Sequence, residues 1–269
     1  MKPCICVGDC EKQRLKDVRA AGFEYIEATF AALARMPEAE YIDRIETAKE
    51  LGLTVVAACG FFPSDPKLGT FFGGDLDLGA MREFIAAAFG RVGGLHLRSI
   101  ALGSGFMRRM PDGYAKEKAL DFLERFIADE IAPYLEKYDT CLSIEPLQAS
   151  ETNFLNSCCE TAALVRHIAN DRVGLLCDYF HMRMAGETAC DVPKFGDTVR
   201  HVHIASPSNS RSFPYAGDGD NEAYAAFFDT LRQLPRFDGF VSVEGGVAKK
   251  DEPFSEAAKR TYALLDSLL

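Results

Sequence analysis

Four side chains that could bind a metal ion each end a short apolar run in the second half of the chain. Glu145 stands before Pro146, Asp178 follows five apolar or small residues, His203 lies in a Val-Arg-His-Val-His run, and Glu244 precedes two glycines. Three carboxylates and one imidazole form a hard ligand set, which favours Mn²⁺, Mg²⁺ or Co²⁺, with Zn²⁺ as a further candidate. The residue types therefore predict one divalent ion bound by these four side chains.

Each of these residues has an ordinary explanation when it is considered alone. An acidic residue at a strand end is commonly a helix cap, and a histidine within a strand is commonly a packed, hydrogen-bonded residue. We interpret His201, two residues before His203 and on the same face of the run, as such a packed residue. Three carboxylates in one narrow space without a cation would cost several kcal/mol through repulsion and desolvation. Four successive strand ends of this kind therefore favour a metal site.

The four side chains can meet only if their strands end at a common edge, and the pattern of the chain predicts that arrangement. Short β-rich runs are predicted at residues 5–8, 25–28, 54–59, 99–102, 141–146, 173–179, 199–205 and 240–244. Helical patterns alternate with them at residues 10–21, 37–51, 78–92, 114–138, 157–169, 192–197, 221–234 and 254–269. Strict alternation favours parallel pairing by right-handed crossovers, and a closed (β/α)8 barrel directs strand-end side chains into one mouth.

An open doubly wound sheet is the structural alternative to the barrel. Its nucleotide-binding form requires a Gly-x-Gly-x-x-Gly turn after the first strand, and the sequence has none there. The chain has 269 residues, close to the roughly 250 that a (β/α)8 barrel needs, and no linker divides it. We therefore predict a single barrel domain over residues 1–269.

Composition and charge restrict the class of partner. The formal net charge is −10, and the strongest basic cluster is the pair Arg108-Arg109, so nucleic-acid binding is not expected. No apolar run reaches the roughly 18 residues of a membrane span, and the first residues do not resemble a signal peptide. We expect a cytoplasmic protein that keeps its nine cysteines reduced.

The same residues resemble a known family, the xylose-isomerase-like barrels of sugar isomerases and epimerases, and within it the ketose 3-epimerases of the tagatose/psicose type. The resemblance is strongest over residues 141–246. The stretch Glu-Pro-Leu-Gln-Ala-Ser-Glu from Glu145 to Glu151 resembles the strand-five segment of that family, and Asp-Tyr-Phe-His from Asp178 to His181 resembles its Asp-x-x-His motif. Arg211 is similar to a sugar-binding arginine of the family, although it lies eight residues after His203, a looser spacing than usual.

The resemblance implies an activity and roles for these residues. It implies a metal-dependent ketose epimerase or isomerase that moves a proton next to a carbonyl through a metal-stabilised enediolate, with Mn²⁺ as the first choice of ion. Glu145 and Glu244 would serve as acid and base as well as ligands, while Glu151, His181 and Arg211 would hold the sugar. Family members are often homo-oligomers, so a homo-oligomer is a further expectation.

Several related functions stay open at the level of sequence. An aldose–ketose isomerase and an inosose-type dehydratase would use the same site. An abasic-site endonuclease shares the fold, but its additional zinc-binding histidines have no counterpart around Cys59 or Gly103, and the acidic chain lacks a phosphate-binding surface. A sugar-binding barrel without activity is the remaining alternative, because a fold does not guarantee catalysis.

Overall fold

The computed structural model describes residues 1–237, 239–247 and 251–269, and within these ranges eight parallel strands form a closed barrel in sequence order. Each strand pairs with the next, and β8 pairs with β1 to close the ring. The strands are Lys2–Cys6 (β1), Tyr25–Thr29 (β2), Thr54–Cys59 (β3), Ser99–Leu102 (β4), Cys141–Ile144 (β5), Val173–Asp178 (β6), Val199–Ile204 (β7) and Phe240–Val243 (β8). The predicted (β/α)8 fold class is confirmed.

Helices surround the barrel and connect its strands. They are Lys12–Ala21 (α1), Phe30–Arg35 (α2), Glu38–Glu50 (α3), Leu78–Val92 (α4), Lys116–Phe126 (α5), Ala132–Lys137 (α6), Cys158–Ile168 (α7), Tyr179–Met184 (α8), Asn221–Leu231 (α9) and Phe254–Leu268 (α10). The main apolar core joins strand residues such as Ile5 and Val241 to helix residues such as Val18 and Leu265. None of the helices in the described ranges combines the length and apolar composition that crossing a bilayer demands.

Small and apolar side chains fill part of the barrel interior. One cluster contains Cys4, Ala57 and Phe240, and a second contains Cys59, Ala101 and Leu176, with Cys6 packed against it. Layers of this kind make the interior of such a barrel a packed core rather than a pore. The side chains at the carboxyl ends of the strands are therefore the ones that can form an open site.

The first predicted strand is wrong in position, because β1 begins three residues earlier and ends two residues earlier than the run at 5–8. Its hydrogen-bonded pairing with β8 runs from Lys2 to Ile5. Gly8 has a φ of +66°, which an extended strand does not adopt, so the strand ends before it. The apolar run predicted the strand, but pairing with β8 decided its register.

The sixth predicted helix, 192–197, is also wrong. The segment consists of two short 3₁₀ turns, Ala189–Lys194 and Gly196–Thr198, which are separated at Phe195, whose φ of −130° is not helical. The predicted helix 114–138 is divided by a π-helical segment, Ile127–Ile131, that ends just before Pro133. Proline cannot complete the regular hydrogen-bond ladder, and a wider turn accommodates that loss.

Candidate metal centre

The structure brings together the four side chains that the strand-end pattern singled out. Glu145 follows β5, Asp178 ends β6, His203 lies near the end of β7, and Glu244 follows β8. One ligand atom from each lies within 4.8 Å of the corresponding atoms of the other three. Asp178 and His203 are fully buried, Glu145 is 5% exposed, and Glu244 faces the open mouth more than the others. The group has the residue types and the spacing of a metal centre.

Neighbouring residues determine how the carboxylates enter this space. The Glu145 N–H donates to the carbonyl of Leu102 and the Glu244 N–H to that of Ile204, so strand pairing holds both backbones in place. A Cβ atom at Gly103 would lie 2.4 Å from Glu145 Oε2, which only a glycine avoids. Sequence and pairing together leave room for the Glu145 carboxylate at the mouth.

Several possible ligand atoms in this group have no hydrogen-bond partner among the residues that the structure describes. Glu145 Oε1, Asp178 Oδ2 and His203 Nδ1 are buried without a hydrogen bond to any of the described residues. His203 Nδ1 lies 3.6 Å from Glu145 Oε1 and 3.4 Å from Glu244 Oε2, beyond a good hydrogen-bond distance. Buried polar atoms without partners are costly, and a cation among them would satisfy all of them at once. The donor set therefore fits a divalent ion.

The buried charges shift the pKa values of these groups in different directions. Burial raises the pKa of Glu145. Burial would also raise the pKa of Glu244. The positive charges of His203 and Arg211 have a larger effect, and they lower the pKa of Glu244 to about 2. Burial alone would lower the pKa of His203, yet the charges of Glu27 and Glu244 raise it well above its ordinary value. Two carboxyls in one site thus have pKa values that are held apart.

The structure brings the three predicted sugar-binding residues to the same mouth. The backbone N–H of Gln148 donates to His181 Nδ1 at 3.1 Å, so the ring proton of a neutral His181 must be on Nε2. That nitrogen lies 4.0 Å from Glu145 Oε1 and 3.9 Å from Glu151 Oε1, with no hydrogen-bond partner among the described residues. His181 can therefore donate a hydrogen bond to an oxygen that enters the mouth.

Arg211 crosses the mouth and joins several acidic side chains. Its Nη2 lies 2.5 Å from Glu244 Oε2 and 3.6 Å from Asp178 Oδ2, and its Nη1 lies 3.4 Å from Glu151 Oε1. The guanidinium also lies over the ring of Phe180, 5.5 Å from its centroid. Arg211 has a φ of +57°, which is uncommon for a residue with a side chain. The loop conformation, rather than spacing from His203, brings this arginine to the site.

The most important neighbour of the site that the sequence reasoning missed is Glu27 on β2. Its side chain is fully buried, with Oε2 2.9 Å from His201 Nε2 and Oε1 3.0 Å from His203 Nε2. His201, interpreted from sequence as a packed residue, is fully buried beside the site. One signal could have indicated Glu27, namely an acidic residue inside a short strand predicted to be covered on both faces.

Other neighbours of the candidate centre were not expected either. The thiols of Cys6 and Cys59 lie within 4.8 Å of a Glu244 carboxylate oxygen and of each other. Arg108, assigned from sequence to a basic pair too short to bind nucleic acid, is fully buried and donates from Nη2 to the backbone carbonyl of Glu145 at 2.7 Å. Arg108 thus supports the strand end that carries a candidate ligand.

The raised pKa of His203 predicts how the stability of the ion-free protein depends on pH. A group whose folded pKa is raised stabilises the fold below its unfolded pKa, here 6.5, and this contribution is lost as pH rises through the folded pKa. We expect the thermal midpoint in EDTA to fall as pH increases from about 6.5 to about 8. Melting curves across this range, with His203→Gln as the comparison, test this; an equally steep fall in the variant would contradict it.

A family model described as xylose isomerase-like TIM barrel matches residues 15–267. The chain belongs to this family. A D-psicose 3-epimerase from Enterocloster bolteae is 28% identical over 220 residues, which cover 77% of this chain and 71% of that protein. The resemblance noted from the sequence is confirmed at the level of the family, and a D-psicose 3-epimerase is among the similar proteins.

Solved structures with the same architecture cover almost the whole chain. An apo 3-keto-D-glucoside 4-epimerase from E. coli superposes with a TM-score of 0.80 at 19% identity and covers 99% of both chains. A D-psicose 3-epimerase with D-tagatose from Clostridium cellulolyticum H10 has a TM-score of 0.76 at 16% identity, covering 99% of this chain and 98% of that one. At these identities the likeness shows the fold.

Proposed function

We propose that this protein is a divalent-metal-dependent ketose epimerase. The observation that carries the proposal is the group formed by Glu145, Asp178, His203 and Glu244, whose ligand atoms lie within 4.8 Å of one another at the barrel mouth. The names of the relatives, epimerases of psicose and of a 3-keto-glucoside, support a small sugar with a ketone as the substrate. A cytoplasmic location and a homo-oligomeric state stay predictions from the sequence.

The proposed cofactor is one divalent ion, with Mn²⁺ as the first choice and Mg²⁺, Co²⁺ or Zn²⁺ as alternatives. Glu145, Asp178, His203 and Glu244 would hold it, since their buried donor atoms include three without a hydrogen-bond partner among the described residues. When bound, such an ion supplies Lewis-acid polarisation of a carbonyl oxygen. It also offsets the repulsion between three neighbouring carboxylates.

Glu145 and Glu244 are the proposed acid–base pair. They enter the mouth from β5 and β8, which are separated in the ring by β6 and β7, so they can approach a sugar carbon from different sides. One of the two, as a carboxylate, removes the proton next to the ketone, and the other, as a protonated carboxylic acid, donates its own proton to the opposite face, which inverts that carbon. In the ion-free site the pKa of Glu145 is raised and that of Glu244 is lowered, and an acid and a base need separated pKa values of this kind.

Three further residues would bind the sugar and orient its reacting carbon toward Glu145 and Glu244. His181 offers an Nε2–H from a fully buried ring, Glu151 accepts from a sugar hydroxyl, and Arg211 donates to sugar oxygens. Orientation of this kind lowers the activation free energy, because the reacting groups are already held in the geometry that the reaction requires. Arg211 would have to share or leave its ion pair with Glu244 when a substrate binds.

A substrate panel in D₂O tests the proposal. Mn²⁺-loaded protein is incubated with psicose, tagatose, fructose, ribulose and a 3-keto-glucoside, each also in phosphorylated form where available. We expect deuterium at the carbon next to the ketone together with inversion at that carbon. An aldose product would instead indicate an isomerase. In parallel incubations, loss of water from an inosose would indicate a dehydratase, and cleavage of an abasic duplex a nuclease. No exchange with any ketose would contradict the proposal.

A further inference from the structure

Glu27 connects two histidines of β7 from the other side of the barrel. It lies in β2, opposite Cys6 in the pairing with β1, and its fully buried side chain extends across the interior. One carboxylate oxygen contacts His201 Nε2 at 2.9 Å and the other contacts His203 Nε2 at 3.0 Å. A single acidic group therefore contacts both rings, and it uses a different oxygen for each.

These contacts determine which nitrogen of each ring carries a proton. An ionised carboxylate only accepts hydrogen bonds, so both Nε2 atoms must donate to Glu27. Burial alone would raise the pKa of Glu27, but His203 and His201 outweigh burial and hold the pKa well below its ordinary value. With its proton on Nε2, a neutral His203 presents an Nδ1 lone pair, and this atom faces Glu145 and Glu244.

We propose that Glu27 is a positioning residue that holds His203 with Nδ1 directed at the metal centre, and that His201 anchors the second oxygen of Glu27. The inference rests on the metal site of the proposed function and deepens it. A histidine ligand needs its second nitrogen bound by an acceptor to fix its tautomer and ring orientation, and a carboxylate acceptor also makes the ring a stronger ligand. Both carboxylate oxygens of Glu27 are engaged by the two histidines in this arrangement.

A purely structural role for Glu27 is the alternative. Removing one partner of a buried charged group destabilises a fold by itself, so loss of stability cannot distinguish the two roles. Glu187 provides a matched control, because it is also a buried carboxyl and its two oxygens accept from the N–H groups of Cys158 and Cys159. A change at Glu187 should affect stability without affecting ion affinity.

The test measures Mn²⁺ affinity of the full chain by calorimetry after EDTA treatment. We expect Glu27→Leu to weaken binding by about 10- to 100-fold, the range found when such partners of ligands are removed. Glu27→Gln should lie between wild type and Glu27→Leu, because an amide has one accepting oxygen for two histidines. Glu27→Asp should bind Mn²⁺ more tightly than Glu27→Leu, because it keeps a carboxylate. Glu187→Gln should bind Mn²⁺ with the wild-type affinity.

A second measurement determines which ring nitrogen of His203 carries the proton. In Zn²⁺-loaded wild type, a long-range ¹H–¹⁵N spectrum should show the ring proton of His203 on Nε2, protected from exchange. A proton on Nδ1, or wild-type Mn²⁺ affinity in folded Glu27→Leu and Glu27→Gln, would overturn the inference. Wild type that binds Mn²⁺ but epimerises no ketose would overturn the proposed function alone, whereas wild type that binds no ion would overturn both.

Discussion

Glu244→Gln is expected to keep the fold and to lower kcat for epimerisation by about 10²- to 10⁴-fold, the usual contribution of a general acid or base. The amide has the size of the carboxylate, but it cannot accept a proton from carbon and is a poor ligand for a hard ion. Glu244 Oε2 lies 3.4 Å from His203 Nδ1 and 2.5 Å from Arg211 Nη2, so the substitution removes charge at the centre of the site. The measurement is steady-state kinetics at saturating Mn²⁺, with calorimetry to separate lost ion binding from lost proton transfer.

The matched control for this variant is Glu256→Gln on α10. The side chain of Glu256 is 57% exposed and pairs with Lys259 on the same helix. An exposed pair of this kind contributes little to stability, so the control should have wild-type kcat and melting behaviour. Turnover by Glu244→Gln at the wild-type rate would rule out the mechanism with two carboxylates.

Removal of the divalent ion is expected to abolish epimerisation and to lower the thermal midpoint by roughly 5–10 °C relative to protein in Mn²⁺ at about 100 times its Kd. Binding at that concentration stabilises the native state by about 2.7 kcal/mol. A stabilisation of 1 kcal/mol raises the midpoint of a large domain by roughly 2–4 °C. The reason lies in the site, where Glu145 Oε1, Asp178 Oδ2 and His203 Nδ1 are buried without hydrogen-bond partners among the described residues.

Melting curves with EDTA and with added Mn²⁺ measure this effect. The double variant Glu145→Gln/Glu244→Gln should lose the response to Mn²⁺, because two of the four candidate ligands lose their charge. An exposed carboxylate, Asp139, pairs only with Arg172 among the described residues, and Asp139→Asn should retain the full response. Equal midpoints of wild type with and without Mn²⁺ would contradict a resident ion.

The sequence predicted the architecture and four central residues because both depend on local patterns. Apolar runs alternate with helical periodicity along the chain, and parallel strands direct their carboxyl ends to one mouth. Four side chains end successive apolar runs, and this position alone predicted that they lie together: Glu145, Asp178, His203 and Glu244. One ligand atom of each lies within 4.8 Å of those of the others. Their role as ligands stays a prediction until an ion is measured.

Register and loop paths were not local properties, and there the sequence was a weaker guide. The position of β1 depends on its pairing with β8 at the far end of the chain, and an apolar run alone does not determine register. Arg211 reaches Glu244 through a loop whose backbone has a φ of +57°, which spacing along the chain does not predict.

Glu27 shows which part of the site only the tertiary structure determined. The types and spacing of Glu145, Asp178, His203 and Glu244 were enough to propose a hard metal site at the barrel mouth. The contact of Glu27 with His203 joins residues 176 positions apart, and it forms only when the barrel closes and places β2 across from β7. Strand ends follow from periodicity along the chain, whereas partners across the barrel follow only from its closure.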